Sequence, residues 1–508
     1  MTRVLVGQSY YLRFDEKLWR AMQPHPPLGS LYAAAVLREA GHDVAVFDAM
    51  LATSEEDWEA ALARERPDVA VIYEDNFNYL SKMCLLRMRE AAFRMLAMAK
   101  ARNCTTIVCG SDATDHASQY LARGADHIVL GEGEGTIVEL VDALARGAAG
   151  EHTTGEHTAG IVGLTYLDDR GELQSTGRRG NQRDLDALPF PAWDLVDLAP
   201  YRAAWSRHGR FSLNMVTTRG CPYHCNWCAK PIWGQRYAVR SPENVAAELA
   251  LLRDRYRPDH VSFADDIFGL RPGWIPAFAA LVRARGIVTP FTCLSRADLL
   301  VRDGEVESLR DAGCEMVWMG AESGAQQILD AMEKGTRVEQ IEEATRRLHA
   351  AGVRVGFFLQ FGYPGEGADE IQATRDLVRR CMLDDIGISV SYPLPGTPFF
   401  ERVREQLAEK QNWVDSDDLS MLYEGPFPTA VYRQLHHVVH KEFRLCQAAG
   451  TTSLVRHVGR ALCRPVSRQR LGRVRDAATF ARDERALQRA MAAVDIPPTR
   501  RRIEVRSA

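Results

Sequence analysis

Three cysteines in one short segment carry the strongest chemical signal in this sequence. They are Cys221, Cys225 and Cys228, in the run Thr-Thr-Arg-Gly-Cys-Pro-Tyr-His-Cys-Asn-Trp-Cys. Three closely spaced thiolates can bind three irons of a four-iron cluster and leave the fourth iron without a protein ligand. An open coordination position is typical of a catalytic metal centre rather than a structural one. The spacing therefore predicts a catalytic [4Fe-4S] cluster.

A zinc site, or a group of incidental thiols, is the alternative interpretation of the same cysteines. Structural zinc is normally held by four Cys or His ligands at matching spacing. His224 lies inside the segment, but as a ligand it would fill the position that a catalytic cluster has to leave open. The pattern therefore favours the cluster.

The elements around this segment predict an α/β protein with four regions. Residues 1–147 alternate short apolar strands with amphipathic helices, which predicts a Rossmann-like, doubly wound parallel sheet. Residues 148–209 predict a linker with a small hairpin. Six strand–helix units in residues 210–400 predict a partial (β/α)6 barrel of the TIM type. Residues 401–508 predict a helical, arginine-rich C-terminal region.

The loops that follow the predicted strands are the places where ligands should bind, because both sheet types bind ligands beyond the carboxyl ends of their strands. The cysteine segment follows the first barrel strand. One long helix is predicted over Leu80–Arg102, and Leu188–Trp193 is predicted to be a strap that docks one domain on another. The candidate loops of the first sheet are Gln8–Tyr10, Glu74–Asn78, Gly110–Thr114 and Gly131–Gly135.

Composition is that of an ordinary globular enzyme. The 508 residues are 46% hydrophobic and 26% charged, with a formal net charge of -4, so nothing points to a nucleic-acid partner or an acidic membrane surface. The sequence has no apolar run of the length that crosses a bilayer. Eleven cysteines without a recognisable secretion signal predict a reducing compartment, and we expect a cytoplasmic protein.

Six further patterns occur in a fixed order along the chain. With the cysteines they resemble the radical S-adenosylmethionine (SAM) enzymes that carry an N-terminal cobalamin-binding domain, and the resemblance covers about residues 1–400. The patterns are Pro27–His42, Leu130–Gly135, Phe263–Phe268, Gly320–Gly324, Phe361–Glu366 and Tyr392–Pro398.

The resemblance implies a [4Fe-4S] cluster on the three cysteines, with SAM on its open iron. Asp265 and Asp266 would then approach the SAM amino group, and Glu322 its ribose, although a helix cap or surface pair is the commoner role of adjacent aspartates. Arg296 and Lys334 would meet the SAM carboxylate. The residues so assigned to SAM are Trp227, Asp265, Asp266, Arg296, Glu322, Ser323 and Lys334.

Cobalamin is the third cofactor that the resemblance implies. Residues 1–147 lack the Asp-x-His-x-x-Gly motif that supplies a histidine to cobalt, so the resemblance implies binding without that ligand, and a sheet that binds nothing is the alternative. The glycines of the candidate loops permit close approach of the backbone. The residues assigned to cobalamin are Gln8, Ser9, Tyr10, Gly110, Ser111, Asp112, Gly131, Glu132, Gly133 and Glu134.

The function implied is methyl transfer to an unactivated carbon of a small natural-product intermediate, through a 5′-deoxyadenosyl radical. An external electron donor of the flavodoxin or ferredoxin type is expected, with no membrane or nucleic-acid partner. The nearest alternative is a cobalamin-dependent radical SAM cyclase or rearrangement enzyme. An RNA methylthiotransferase is disfavoured because Cys84, Cys104 and Cys109 are not expected to converge, and a non-catalytic cobalamin or redox sensor is disfavoured by the SAM-site patterns.

Overall fold

The predicted α/β architecture is confirmed. The computed structural model describes residues 1–83, 85–148, 158, 160–228, 232–407, 412–417, 419–449 and 468–494. It contains a seven-stranded sheet in the N-terminal part, a six-stranded parallel sheet in the middle, and helices in the C-terminal part. Within these residues, no helix combines the length and the apolar character needed to cross a membrane.

The N-terminal sheet has the strand order β2-β1-β3-β4-β5-β6-β7, and its first five strands are parallel. Its central strands are continuous apolar runs, as expected where helices cover both faces. The order reverses between β1 and β3, and ligands of such sheets bind at this switch point. The strands are β1 (Arg3–Gly7), β2 (Asp43–Phe47), β3 (Val69–Tyr73), β4 (Thr105–Cys109), β5 (His127–Val129), β6 (Leu164–Leu167) and β7 (Leu173–Ser175).

The hairpin β6–β7 continues this sheet, because β6 pairs antiparallel with β5. Residues 149–157 and 159 of the predicted linker lie outside the described residues. The helices of the N-terminal part are Glu16–Ala21, Leu28–Glu39, Glu56–Glu65, Tyr79–Met83, Leu86–Ala101, Ser111–Asp115, Ala117–Ala122 and Glu134–Ala148.

The prediction of one helix over Leu80–Arg102 is wrong. Two helices, Tyr79–Met83 and Leu86–Ala101, replace it, and Leu85 between them is extended (φ −61°, ψ 144°). The second helix starts where the Leu86 N–H donates to the Trp413 carbonyl at 2.8 Å. A contact from a segment so distant in sequence leaves no trace in the helical periodicity of the segment itself.

The predicted partial barrel is confirmed, with six parallel strands ordered β8-β11-β12-β13-β14-β15. A separate two-stranded ribbon, β9 with β10, lies beside it. The strands are β8 (Ser212–Met215), β9 (Thr218–Arg219), β10 (Ala238–Val239), β11 (His260–Phe263), β12 (Phe291–Ser295), β13 (Cys314–Glu322), β14 (Arg354–Phe361) and β15 (Asp385–Val390).

Helices cover the outer face of the barrel and form the C-terminal part. The barrel helices are Ala199–Ser206, Pro242–Tyr256, Trp274–Ala284, Ala297–Leu300, Glu305–Ala312, Gln326–Ala331, Val338–Ala350 and Ala368–Cys381. The C-terminal helices are Pro398–Val403, Thr429–Ala449 and Arg468–Ala492. The arginines at 500–502 lie outside the described residues.

The two sheets share one apolar core at their interface. A single cluster of buried side chains runs from Leu28 and Tyr32 of the N-terminal part into the barrel interior around Phe263. The predicted strap crosses here: the Ala192 N–H donates to the Leu31 carbonyl at 3.1 Å, and Trp193 is buried beneath it. Burial of a large aromatic side chain contributes roughly 2–3 kcal/mol, so the strap holds the two sheets together.

Candidate active site

The cysteine loop leaves the barrel through the ribbon of β9 and β10. Gly220 lies between β9 and Cys221 with a positive φ of 78°, and a Cβ atom on it would lie 2.1 Å from the Arg236 carbonyl oxygen. No side chain fits in that space, so glycine is required here. Cys221 is buried, Cys225 and Cys228 are half-buried, and the Cys228 N–H donates to the Cys225 carbonyl at 3.2 Å.

Asn226, inside the cysteine loop, ties that loop to the rest of the barrel. Its side chain donates to the Ala331 carbonyl at 2.8 Å and accepts from the Tyr363 hydroxyl at 2.8 Å. Its backbone N–H donates to the Met332 carbonyl, and its carbonyl accepts from the Phe399 N–H, both at 3.0 Å. Sequence reasoning missed this residue, because a single asparagine between two cysteines gives no signal of burial.

Lys334 is the centre of a buried group beside the cysteine loop. Its ammonium nitrogen lies 2.8 Å from Glu322 Oε1 and 6.0 Å from the centroid of the Trp227 ring. Burial alone would lower the pKa of Lys334, but the Glu322 carboxylate and the Cys225 thiol outweigh that effect and raise it. The side chain is therefore a cation close to the cysteines.

The backbone conformation at Glu322 directs its side chain towards Lys334. Glu322 ends β13 with a positive φ of 58°, after an irregularity in the pairing of β13 with β14. Strained backbone of this kind in a non-glycine residue is concentrated at functional sites. A Cβ atom on Gly320 would lie 2.5 Å from Glu322 Oε1 and 2.7 Å from Lys334 Nζ, so a larger residue there would displace the ion pair.

Arg296 extends the same group from the end of β12. Its guanidinium donates to Asp298 Oδ1 at 2.9 Å and to the Lys334 carbonyl at 2.8 Å, and its centre lies 3.5 Å from the centroid of the Tyr223 ring. The structure thus brings together four residues assigned to SAM, namely Trp227, Arg296, Glu322 and Lys334.

Asp265 and Ser323 are occupied by bonds within the protein. Both carboxylate oxygens of Asp265 accept hydrogen bonds, from the N–H and hydroxyl groups of Thr217 and Thr218 at 2.6–3.0 Å. Burial raises the pKa of Asp265 to about 6. The Ser323 hydroxyl lies 3.2 Å from that of Thr374 and is fully buried. Both residues thus brace the loops around the site, and their predicted contact with SAM stays a prediction.

Asp266, next along the chain, is half-buried, and its predicted approach to the SAM amino group also stays a prediction.

The loop after β1 is bonded mainly to the loop after β3. Ser9 donates through its hydroxyl to Glu74 Oε1 at 2.5 Å and through its N–H to Glu74 Oε2 at 3.2 Å. The Tyr10 N–H donates to Gln8 Oε1 at 2.5 Å. A Cβ atom on Gly110 would lie 2.8 Å from the Glu74 side chain. Burial raises the pKa of Glu74 to about 7. These loops therefore pack on one another around the buried Glu74 carboxyl group.

Asp112 and Ser111 also face their own domain. The Asp112 carboxylate accepts from the Arg89 guanidinium at 2.7 Å and from the Tyr120 hydroxyl at 2.7 Å. The Ser111 hydroxyl donates to the Ser81 carbonyl at 3.4 Å. The predicted role of both residues in binding cobalamin stays a prediction, and Asp112 has charged and polar partners within the protein.

The loop Gly131–Gly135 faces the barrel through its two glutamates. Arg219, in the ribbon strand before the cysteine loop, forms ion pairs with Glu132 and with Glu134. Burial, opposed by the Arg219 charge, raises the pKa of Glu132. A Cβ atom on Gly133 would lie 2.6 Å from Cys109 Sγ, so this glycine lets the loop pack on the end of β4. Sequence reasoning assigned this loop to cobalamin and missed Arg219.

Cys104 does not form a second site with Cys109. Cys104 precedes β4, and its thiol donates to the Pro67 carbonyl at 3.3 Å, whereas Cys109 ends the same strand. Cys84 lies outside the described residues.

The residues present fit the three predicted groups. Within the described residues, no three His, Cys, Asp or Glu side chains converge on one metal ion. Each thiolate of a four-iron cluster binds its own iron, so such a cluster does not require its cysteines to converge on one ion. Beside the cysteines, Trp227 Nε1 is buried with no hydrogen-bond partner among the described residues, which suits a bound polar ligand.

The switch point of the N-terminal sheet carries further unsatisfied polar groups. Gln8 Nε2, Asn76 Oδ1 and Ser81 Oγ are buried and have no hydrogen-bond partner in the described part of the chain. A buried polar atom left unpaired costs about 1–3 kcal/mol. Cobalamin carries peripheral amides that can pair with such groups, so the donors and acceptors at this edge suit it.

Two family models match separate parts of the chain. Residues 20–141 match the B12 binding domain, and residues 215–378 match the radical SAM superfamily. The chain is a radical SAM enzyme with a cobalamin-binding domain. The cofactors predicted from the sequence, a [4Fe-4S] cluster, SAM and cobalamin, are those of these two families.

Curated relatives and a solved structure are similar over most of this radical SAM enzyme. The uncharacterized methyltransferase PH0819 of Pyrococcus horikoshii is 27% identical over 76% of the chain and 81% of its own length. The anaerobic magnesium-protoporphyrin IX monomethyl ester cyclase of Cereibacter sphaeroides is 27% identical over 75% of the chain and 61% of its own length. The radical SAM methyltransferase TsrM of Kitasatospora setae, solved with cobalamin and a [4Fe-4S] cluster, has a similar fold (TM-score 0.63, 20% identity, 81% of this chain and 79% of TsrM).

Proposed function

We propose that this radical SAM enzyme transfers a methyl group to an unactivated carbon of a small natural-product intermediate. The observation that carries the proposal is the meeting of three features in one place. The cysteine loop and the group around Lys334 lie at the carboxyl edge of the barrel, and Arg219, two residues before Cys221, pairs with Glu132 of the cobalamin-binding domain. The similarity to the methyltransferase PH0819 over three quarters of the chain supports methyl transfer as the reaction.

Each residue near the cysteine loop has a distinct part in this proposal. Cys221, Cys225 and Cys228 hold three irons, and Asn226 fixes the loop that carries them. Arg296 and Lys334 supply positive charge to the SAM carboxylate, because a charge-assisted hydrogen bond is about twice as strong as a neutral one.

Two further side chains orient the nucleoside part of SAM. Trp227 presents an aromatic face to the adenine, and Glu322 accepts hydrogen bonds from the ribose. The chemistry supplied by the bound cofactors is the reductive cleavage of SAM to a 5′-deoxyadenosyl radical and the carriage of a methyl group by cobalamin.

The space between the two sheets is where the substrate has to lie. Its target carbon must be reached from the SAM site on one side and from the cobalamin site on the other. The apolar core that the two domains share keeps water out of the interface between them. Exclusion of water protects a radical from side reactions. We also propose an external electron donor of the flavodoxin or ferredoxin type.

A cyclase or rearrangement without methyl transfer is the second candidate. The similarity to the magnesium-protoporphyrin cyclase, 27% identity over 75% of the chain, favours it specifically. The two reactions differ in their products, because methyl transfer from SAM through cobalamin releases S-adenosylhomocysteine and the cyclase reaction does not.

Purification and reconstitution without oxygen, followed by assays of iron, cobalamin and SAM-derived products, test the proposal. We expect about four irons, one tightly held cobalamin, and both 5′-deoxyadenosine and S-adenosylhomocysteine on incubation with SAM and a low-potential reductant. Deoxyadenosine without S-adenosylhomocysteine, with a panel of acceptor substrates present, would overturn methyl transfer and favour the cyclase class. Iron without cobalamin would overturn both.

A further inference from the structure

Arg219 is a buried arginine placed between the two cofactor domains. Its guanidinium contacts Glu132 and lies 2.8 Å from Glu134 Oε1, and all three side chains are almost fully buried. The centre of the guanidinium also lies 5.1 Å from the ring centroid of Tyr32 and 5.5 Å from that of Phe77. Every one of these partners belongs to the cobalamin-binding domain, whereas Arg219 belongs to the barrel.

The position of Arg219 in the chain links this contact to the cluster. One residue, Gly220, separates it from Cys221, and a Cβ atom on Gly220 would lie within 2.1 Å of the Arg236 carbonyl. Strand β9, which contains Arg219, pairs antiparallel with β10. The backbone between the arginine and the first cysteine is therefore tightly packed, which couples the position of Arg219 to that of Cys221.

We propose that Arg219, Glu132 and Glu134 form a positioning triad through which the cobalamin-binding domain holds the cluster loop in place. Arg219 acts on the irons through the cysteine loop and contacts no reacting atom, so it is a positioning residue. The proposal rests on the cluster, SAM and cobalamin assignments and not on the nature of the reaction, so it stands for a methyltransferase and for a cyclase alike. It gives the Gly131–Gly135 loop a role other than the direct cobalamin contact predicted from the sequence.

A second buried triad in the same chain separates this role from simple stability. Arg375 of the barrel forms ion pairs with Glu442 at 2.9 Å and Glu484 at 2.7 Å, and its side chain is as buried as that of Arg219. Its partners lie in the C-terminal helices Thr429–Ala449 and Arg468–Ala492. Loss of Arg219 leaves Glu132 and Glu134 without their cation. Loss of Arg375 does the same to Glu484, while Glu442 keeps its ion pair with Arg379 at 2.6 Å. Of the two arginines, only Arg219 is linked to the cysteine loop.

The test compares Arg219→Met, Arg219→Lys and Arg375→Met, each reconstituted with iron and cobalamin. The readouts are iron content, the electron paramagnetic resonance spectrum of the reduced cluster with and without SAM, and the thermal midpoint of the apoprotein. Mutation of groups that orient metal ligands typically costs about 10–100-fold in affinity or activity. For Arg219→Met we expect about a tenfold loss of deoxyadenosine formation and a cluster spectrum that no longer responds to SAM as the wild type does.

A cavity of about 460 Å³ lined by Glu132, Arg219 and Trp233 adjoins the triad. In Arg219→Met, water can therefore reach the Glu132 carboxylate, which favours a folded variant. Arg219→Lys keeps the charge but not the fork of two donors, so we expect a partial return of the SAM-induced spectral change. Arg375→Met should lower the thermal midpoint and leave the cluster spectrum as in the wild type.

Two results would overturn the proposal. One is a wild-type spectrum and SAM response in Arg219→Met; the other is an equal spectral change in Arg375→Met, which would mean that any buried triad has this effect. If Arg219→Met does not fold, Glu134→Gln is the second variant, because it removes one charge at almost constant volume. A wild-type SAM response in a folded Glu134→Gln protein would then overturn the proposal.

Discussion

The carboxyl edges of the two sheets use their polar side chains in opposite ways. At the barrel edge, four of the residues predicted to bind SAM meet one another around the cysteine loop, with Lys334 in contact with Glu322 and beside Trp227. At the edge of the N-terminal sheet, the residues predicted to bind cobalamin bond within the protein, as Ser9 does to Glu74 and Glu132 to Arg219.

This difference indicates which kind of side chain is available to contact a ligand at each edge. The barrel edge presents a charged group that suits the charged end of a small ligand. At the N-terminal edge the conspicuous charged residues build the scaffold, and the polar groups left for a ligand are uncharged: Gln8, Asn76 and Ser81. We therefore expect substitutions of charged residues to affect SAM more than cobalamin, and the predictions that follow test this contrast.

The largest effect is expected for Cys225→Ala at the barrel edge. Loss of one thiolate removes an iron ligand, so deoxyadenosine formation should fall to the background level while cobalamin still binds. Cys104→Ala is the matched control, because Cys104 is a buried cysteine at the opposite end of the N-terminal sheet from the ligand loops. Deoxyadenosine formed on incubation with SAM is measured for both variants. Retained turnover in Cys225→Ala would contradict the cluster assignment.

The next largest effect is a pH dependence of stability at Glu74. Its pKa in the folded protein is about 7, raised by burial and further by the charges of Asp112 and Asp75, against about 4.5 when unfolded. The folded state keeps the proton, so the stabilisation is complete below pH 4.5 and is lost as the pH rises through 7. The loss amounts to about 3 kcal/mol.

Glu74→Gln cannot ionise and should not show this loss. Denaturant unfolding of the apoprotein between pH 5 and 8 gives the comparison. As the pH rises from 5 to 8, the free energy of unfolding of the wild type should fall relative to that of the variant. Parallel plots of this free energy against pH for the two proteins would show that Glu74 does not titrate in this range.

A smaller effect is expected for Lys334→Met, which removes a cation and leaves most of the apolar volume. Loss of a charge-assisted contact with the SAM carboxylate should raise the KM for SAM about tenfold. The maximal rate should fall less, because the irons and their cysteines remain. Steady-state deoxyadenosine assays separate the two parameters. An unchanged KM would show that Lys334 serves only to hold Glu322.

The smallest effect is expected for Ser81→Ala at the N-terminal edge. Loss of one neutral hydrogen bond should weaken cobalamin binding by about 1 kcal/mol, or roughly fivefold. Equilibrium binding of aquocobalamin to the apoprotein measures it, with Ser206→Ala, on an exposed helix end, as the control. If both variants bind as the wild type does, Ser81 is not a cobalamin contact.

Much of the fold and part of the site follow from local sequence. Runs such as Val69–Tyr73 are apolar throughout, which predicts a strand buried on both faces, and the cysteine spacing predicts the cluster. The residues that the sequence did not reveal depend on distant contacts. The partners of Asn226, the Glu132–Arg219 pair and the break at Leu85 all involve segments separated by long stretches of chain, so periodicity and motif spacing carry no record of them.

The anchoring of Asn226 sets the order of events while the protein is made. The bonds that fix the cysteine loop come from Ala331, Met332, Tyr363 and Phe399, all of which leave the ribosome well after the three cysteines. A nascent chain that ends before them has the thiolates but no rigid loop to carry them. A fixed loop that can accept iron and sulfide is therefore available only after these later segments of the barrel have been translated.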